Sequence, residues 1–182
     1  GQPVLGVVAH LSEKKGHRYL IAALPELRRR FPGLACLMLG EGALRPELEA
    51  QAQALGVGGA VRFLGFREEA VALMQLMDVV VLPSVAKEGL GVALIEAAFL
   101  GKPGVGSDCP GIDEVIVPEE TGLLVPPADS DALAAALGRL LGDAELRHRL
   151  GAAAHDRAAK LFTLSAMAER AEALYGQLLA TA

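Results

Sequence analysis

Val79-Val80-Val81-Leu82-Pro83-Ser84 is followed, after a short loop, by Glu88-Gly89-Leu90-Gly91-Val92-Ala93-Leu94-Ile95-Glu96. A strand-length run with no polar position is buried on both faces, as in a parallel sheet covered by helices. The glycines at 89 and 91 then open a helix predicted over Gly91–Leu100. The same alternation extends outward in both directions. Upstream, strands are predicted at Val4–Ala9, Leu34–Leu39 and Val61–Leu64, with helices at His17–Phe31, Leu44–Leu55 and Glu68–Met77. Pro25 is expected to bend the first of these helices. Downstream come strands Gly104–Gly106 and Gly122–Val125, with a short helix at Gly111–Val117 between them. Three helices then follow in succession, Asp131–Leu141, Ala144–Lys160 and Ser165–Leu179. This order predicts an α/β fold: a Rossmann-like, doubly wound parallel sheet with helices on both faces and further C-terminal helices.

Composition narrows the function classes. The 182 residues suit one domain, spanning 1–182. Hydrophobic residues make up 52% and charged residues 21%, enough for a packed core and unlike a disordered chain. A net charge of −5 argues against nucleic acid as a partner, and aromatics at 4% with no Trp argue against a base-stacking surface. Cys36 and Cys109 match no metal-site spacing, and two distant thiols suggest a cytoplasmic protein without disulfides. The best candidate for a membrane span, Val92–Leu100, is short and broken by Glu96. The chain enters a strand almost at once, with neither an initiator Met nor a charged leader, which suggests a piece of a longer protein. A mean hydropathy of +0.38 suggests apolar surface that a partner covers.

Ligands of doubly wound sheets bind outside the carboxyl ends of the strands, so the loops there hold the candidate chemistry. The helix opening at Gly91 offers unpaired amides to an anion such as a diphosphate, and Gly89 and Gly91 let a ligand approach the backbone. Glu96 lies roughly 8 Å along that helix, a suitable acceptor for ribose hydroxyls. Glu88, before the helix, can meet a sugar on the other side of the phosphates, although taken alone it more readily reads as a solvated loop residue. In His10-Leu11-Ser12-Glu13-Lys14-Lys15-Gly16-His17, a lysine beside a glycine can reach a phosphate, although a surface turn is the commoner meaning of such a loop. His10 would face the same cleft. Gly40-Glu41-Gly42 lacks the third glycine of a dinucleotide fingerprint, which counts against an oxidoreductase. Phe66 and Arg67 can cover a base, or Phe66 can join the core. Asp129-Ser130-Asp131 is better read as a helix cap, at Ser130 or Asp131, than as a metal site.

Together these pieces resemble the C-terminal, donor-binding domain of retaining GT-B glycosyltransferases of the group 1, family four type. The likeness runs from Val4 to about Leu179. It rests on Leu11–Gly16, Leu39-Gly40-Glu41-Gly42, Val61–Gly65, Asp78–Ser84, Glu88–Glu96, Gly101-Lys102-Pro103, Gly111–Val115 and Thr121–Pro127. Glu88 and Glu96 form the EX7E pair of that family. The resemblance implies an enzyme, a hexosyltransferase half that binds a nucleotide diphosphate sugar and transfers its sugar with retention, without a metal or other cofactor. It implies catalytic roles for Glu88 and Lys15. Donor contacts would come from His10, Lys15, Gly40, Gly42, Phe66, Arg67, Glu88, Gly89, Leu90, Gly91, Val92 and Glu96. It also implies an absent N-terminal acceptor domain, through which alone the enzyme would touch a membrane peripherally, and toward which Leu174, Leu178 and Leu179 would be left exposed. His10 stands where an Arg is common, Leu90 where a Phe is common, and Gly104 where a β-branched residue is usual. The alternative is a non-catalytic Rossmann-like module that binds nucleotide or serves as a scaffold.

Overall fold

The computed structural model describes residues 2–180. Its strands are β1 (Val4–Val8), β2 (Ala35–Leu39), β3 (Val61–Gly65), β4 (Val79–Leu82), β5 (Gly104–Ser107) and β6 (Gly122–Val125). Its helices are α1 (His17–Arg30), α2 (Arg45–Ala54), α3 (Ala70–Met74), α4 (Val92–Phe99), α5 (Ser130–Gly142), α6 (Ala144–Leu161) and α7 (Leu164–Ala180). The six strands form one sheet in the order β3-β2-β1-β4-β5-β6, and every pairing is parallel. The order reverses between β1 and β4, which is the topological switch point where doubly wound sheets bind ligands.

β4 explains why its sequence is apolar throughout. Val79 and Val81 face a core shared with α1 and α5, through residues such as Leu24 and Leu137. Val80 and Leu82 face the other side, with Met77, Leu94 and Ile112. Side chains alternate across a strand, so a central strand with two covered faces has no position left for a polar residue. Gly104, read from sequence as a weak point in β5, is where α4 comes close. A Cβ there would lie 2.8 Å from Leu94 Cδ2, so the missing side chain makes room for the helix that carries the site. Pro25 lies inside α1, which remains one helix through it.

Three local expectations are corrected. The predicted helix over Gly111–Val117 is a series of turns. The Pro110 carbonyl, which would start such a helix, accepts instead from the Glu88 amide at 2.8 Å, and the Asp113 carboxylate takes the Gly111 amide. The predicted Glu68–Met77 helix is reduced to Ala70–Met74. Beyond it the amides of Gln75, Leu76 and Met77 bond three residues back, a tightening common at helix ends. The cap of α5 is neither Ser130 nor Asp131 but Asp129, whose Oδ1 accepts from the amides of Asp131 and Ala132 at 3.0 and 2.8 Å.

The C-terminal helices divide into packed and unpacked parts. Leu146, Leu150, Gly151, Ala154 and Ala158 of α6 are buried. α7 is exposed along most of its length, with Leu174, Leu178 and Leu179 at 56%, 57% and 79%. No helix among the described residues is long and apolar enough to cross a membrane.

Packing on α6 reverses a helix-propensity rule. Alanine in a helix interior is normally better than glycine by roughly 0.5–1 kcal/mol. At Gly151, however, a Cβ would lie 2.1 Å from the Gly101 carbonyl oxygen, a backbone atom. Gly151→Ala is therefore expected to lower the thermal midpoint by roughly 3–10 °C. A rise in the midpoint would show that α6 is not seated against that turn.

Candidate functional site

Three loops at the carboxyl edge of the sheet meet around one carboxylate. The first follows β1 and contains a short 3-10 turn over Glu13–Lys15. Gly16 ends that turn with φ of 66°, a left-handed conformation that other residues adopt at a cost. A Cβ on Gly16 would lie 1.9 Å from the Pro83 carbonyl oxygen in the second loop. The two loops are also joined by the Val85 amide, which donates to the Lys14 carbonyl at 2.9 Å. The third loop, after β5, holds Glu88 through Pro110 and brings the Cys109 thiol to the Ala86 carbonyl at 3.5 Å.

Glu88 is 6% exposed and accepts three close bonds. Lys15 Nζ donates to both carboxylate oxygens, at 2.8 Å to Oε1 and 2.9 Å to Oε2. Ser84 Oγ, fully buried, donates to Oε1 at 2.5 Å. Lys14 Nζ is a further 3.8 Å from Oε2. Burial by itself would raise the Glu88 pKa; the bonds from Lys15 and Ser84 and the charges of Lys15 and Lys14 outweigh it, so the carboxyl is held below its ordinary range. The loop thus presents an ionised carboxylate whose charge is matched by lysine.

A cavity of about 310 Å³ opens beside this pair. Lys15, Glu88, Gly89, Leu90, Gly91 and Val92 line it, together with Val8, Leu82 and Ala93. Gly91 is the N-cap of α4, in the left-handed conformation with φ of 56°, and no side chain caps the helix. The Leu94 amide donates to the Gly91 carbonyl at 2.8 Å, which leaves the amides of Val92 and Ala93 to face an anion, with the positive end of the helix dipole behind them.

The other candidates are placed as follows. Glu96 is half-buried on α4, one turn beyond Val92 and outside the cavity lining. His10 is exposed at the end of the first strand. Gly40 and Gly42 let the loop after β2 close on the loop after β1: a Cβ would lie 2.1 Å from the Ala9 carbonyl oxygen at Gly40 and 2.2 Å from that of Leu11 at Gly42. Phe66 is 70% exposed and Arg67 is exposed beside it, so Phe66 is not a core aromatic. Among the described residues, no group of three or more His, Cys, Asp or Glu is placed to hold a metal ion, and Asp129 is committed to its cap.

Two residues were given no role by sequence reasoning. Ser84 sits directly behind an apolar strand and four residues before Glu88, and that position at the carboxyl edge was the available signal. His17, the first residue of α1, is 1% exposed, and neither ring nitrogen has a hydrogen-bond partner among the described residues. Burial first, then the charges of Lys15 and His10, lowers its pKa from 6.5 to about 4.

A parallel sheet whose switch-point cleft is lined by one lysine, one carboxylate and the start of a helix defines a Rossmann-like domain. The family follows from comparison: the chain belongs to the glycosyl transferases group 1, whose family model matches residues 1–157. It is 33% identical over 179 residues to an alpha-D-kanosaminyltransferase of Streptomyces kanamyceticus, covering 97% of this chain and 46% of that protein. It is 36% identical over 159 residues to a phosphatidyl-myo-inositol mannosyltransferase of Mycolicibacterium smegmatis, covering 86% of this chain and 40% of that one. Among solved structures, Anabaena HepE in complex with UDP and glucose matches with a TM-score of 0.87 at 29% identity, covering 95% of this chain and 48% of HepE. The C-terminal domain of a group 1 glycosyl transferase from Francisella tularensis matches with a TM-score of 0.83 at 25% identity, covering 90% of this chain and 88% of that domain. The chain thus spans about half the length of the curated relatives it matches.

The buried imidazole gives a pH prediction. Unfolded, His17 takes up a proton near pH 6.5; folded, it resists until about pH 4. The unfolded chain therefore binds more protons between those values, and the His17 contribution to stability is lost as pH falls through that window. The loss is complete once pH is below about 4 and amounts to a few kcal/mol. His17→Leu, which removes the imidazole at similar volume, should flatten the fall of the thermal midpoint between pH 6.5 and 4.5. An unchanged slope would place His17 in a wetter site.

Proposed function

We propose that this chain is the donor-binding half of a retaining, metal-independent glycosyltransferase acting on a nucleotide diphosphate sugar. The carrying observation is the cavity in which Lys15, Glu88 and the uncapped start of α4 converge. A diphosphate brings two or more negative charges to that point, and Lys15 together with the α4 amides is suited to balance them. Glu88 then faces the transferred sugar, where a carboxylate both accepts from hydroxyls and stabilises developing positive charge at the anomeric centre. Charge neutralisation of the leaving diphosphate falls to Lys15 and the helix, so no metal is required for that task. In retention on one face, the leaving phosphate itself takes the acceptor proton, and the protein contributes positioning and electrostatic stabilisation.

Glu96 is assigned to the ribose hydroxyls, and Phe66 and Arg67 to the base, as the outer contacts of the same ligand. The relatives are transferases, and HepE holds UDP and glucose, which supports a nucleotide sugar as the ligand class. The acceptor is assigned to an N-terminal half, in keeping with relatives about twice as long. The exposed leucines of α7 are the surface we assign to that half.

Two substitutions in the full-length protein test this reading. Glu88→Gln should reduce sugar transfer by about 100-fold or more without weakening nucleoside diphosphate binding. Transfer that survives Glu88→Gln would remove Glu88 from the site. Lys15→Ala should weaken UDP, GDP or ADP, whichever binds best, by roughly 10- to 100-fold and the matching nucleoside hardly at all. Equal losses for both would make Lys15 structural.

A further inference from the structure

The Lys15–Glu88 pair poses a problem for the proposed chemistry. The Lys15 ammonium donates to both oxygens of Glu88. A diphosphate at the start of α4 competes for the same ammonium, since both lie in one cavity lined by Lys15, Glu88 and Gly91. As Lys15 turns toward the diphosphate, Glu88 loses its main orienting partner at the moment its position matters most. Lys14 is no substitute, since it is 3.8 Å away and half-exposed.

Ser84 is the partner that stays. Its hydroxyl is fully buried, lies four residues from Glu88 in the same loop, and donates to Oε1 at 2.5 Å. The backbone that follows it is fixed at two points: the Val85 amide donates to the Lys14 carbonyl, and the Glu88 amide to the Pro110 carbonyl. The division of oxygens also matters. Oε1 accepts from both Ser84 and Lys15, whereas Oε2 accepts closely only from Lys15. A carboxylate oxygen has two lone-pair sites, so Oε2 keeps one for an incoming hydroxyl.

We infer that Ser84 is a positioning residue: it anchors Oε1 of Glu88 while Lys15 transfers to the diphosphate, leaving Oε2 to the donor sugar. The inference rests on the proposed role of Glu88. It adds that the serine acts only through that carboxylate.

A double-mutant cycle in the full-length protein separates the two claims. UDP-glucose, GDP-mannose and ADP-glucose serve as probes, with release of nucleoside diphosphate measured on the one bound most tightly. Ser84→Ala should lower kcat about 10- to 100-fold, with the dissociation constant of the nucleoside diphosphate changed less than twofold. In a Glu88→Gln background the same change should cost less than twofold. Loss of the hydroxyl should also move the acid limb of the pH–rate profile upward, because Glu88 then takes a proton more readily. Ser84→Cys, similar in size and a weak donor, should reproduce the loss if the alanine variant folds poorly. Equal costs in both backgrounds, or an unmoved acid limb, would overturn the role of Ser84 while leaving that of Glu88 intact. A fully active Glu88→Gln enzyme, or binding of none of the probes, would overturn both.

Discussion

A carboxylate only 6% exposed stays ionised when the protein replaces the water it has lost, and at Glu88 this is done by one ammonium and one hydroxyl. That requirement accounts for much of the surrounding structure. Lys15 reaches Glu88 because Gly16 lets the first loop lie against the Pro83 carbonyl, where any side chain would collide. Ser84, two residues beyond the end of β4 at Leu82, reaches it from within the same loop. The loop after β5 closes the third side by giving the Pro110 carbonyl to the Glu88 amide. Removing one partner of such a pair leaves a buried charge, so the three loops stand or fall together.

The sheet determines where this happens. β1 and β4 are adjacent and parallel, and the loops following them leave the sheet on the same edge. α4 starts directly after the Glu88 loop, so its free amides and the Lys15 ammonium face one space. An anion entering there finds two kinds of positive potential: one mobile, on a lysine stem, and one fixed, in the helix backbone. The fixed part costs no reorganisation when a diphosphate arrives. The mobile part can leave Glu88 and follow the ligand.

How much of this is legible in the sequence differs from element to element. β4 could be read directly, because four apolar residues in a row have one explanation in a chain of alternating strands and helices. The Gly89–Gly91 opening of α4 is equally clear, whereas the lysine loop and Glu88 each read alone more readily as solvated surface, and their ion pair is visible only in the fold. What could not be read depends on contacts between distant segments. The turns at 110–115 replace a helix because Glu88, some twenty residues earlier, takes the carbonyl that the helix would need. Ser84 carries no local pattern that marks its hydroxyl as aimed at a carboxylate. Gly104 reads as a weak point in the strand because the Leu94 side chain that fills its place comes from a separate element, α4. The burial of His17 follows from how the first loop packs, which composition does not encode.

In the proposed function, the diphosphate of a nucleotide sugar binds where α4 begins, between Lys15 and Glu88. Titrating UDP into the nitrogen-15-labelled protein and following backbone amide shifts tests it most directly. The largest shifts should fall at Gly91–Ala93 and Lys15–His17. If instead the largest shifts cluster at Arg45, Arg62 and Phe63, around the open cavity of about 450 Å³ on the outer edge of β3, the diphosphate site is misplaced and the account fails.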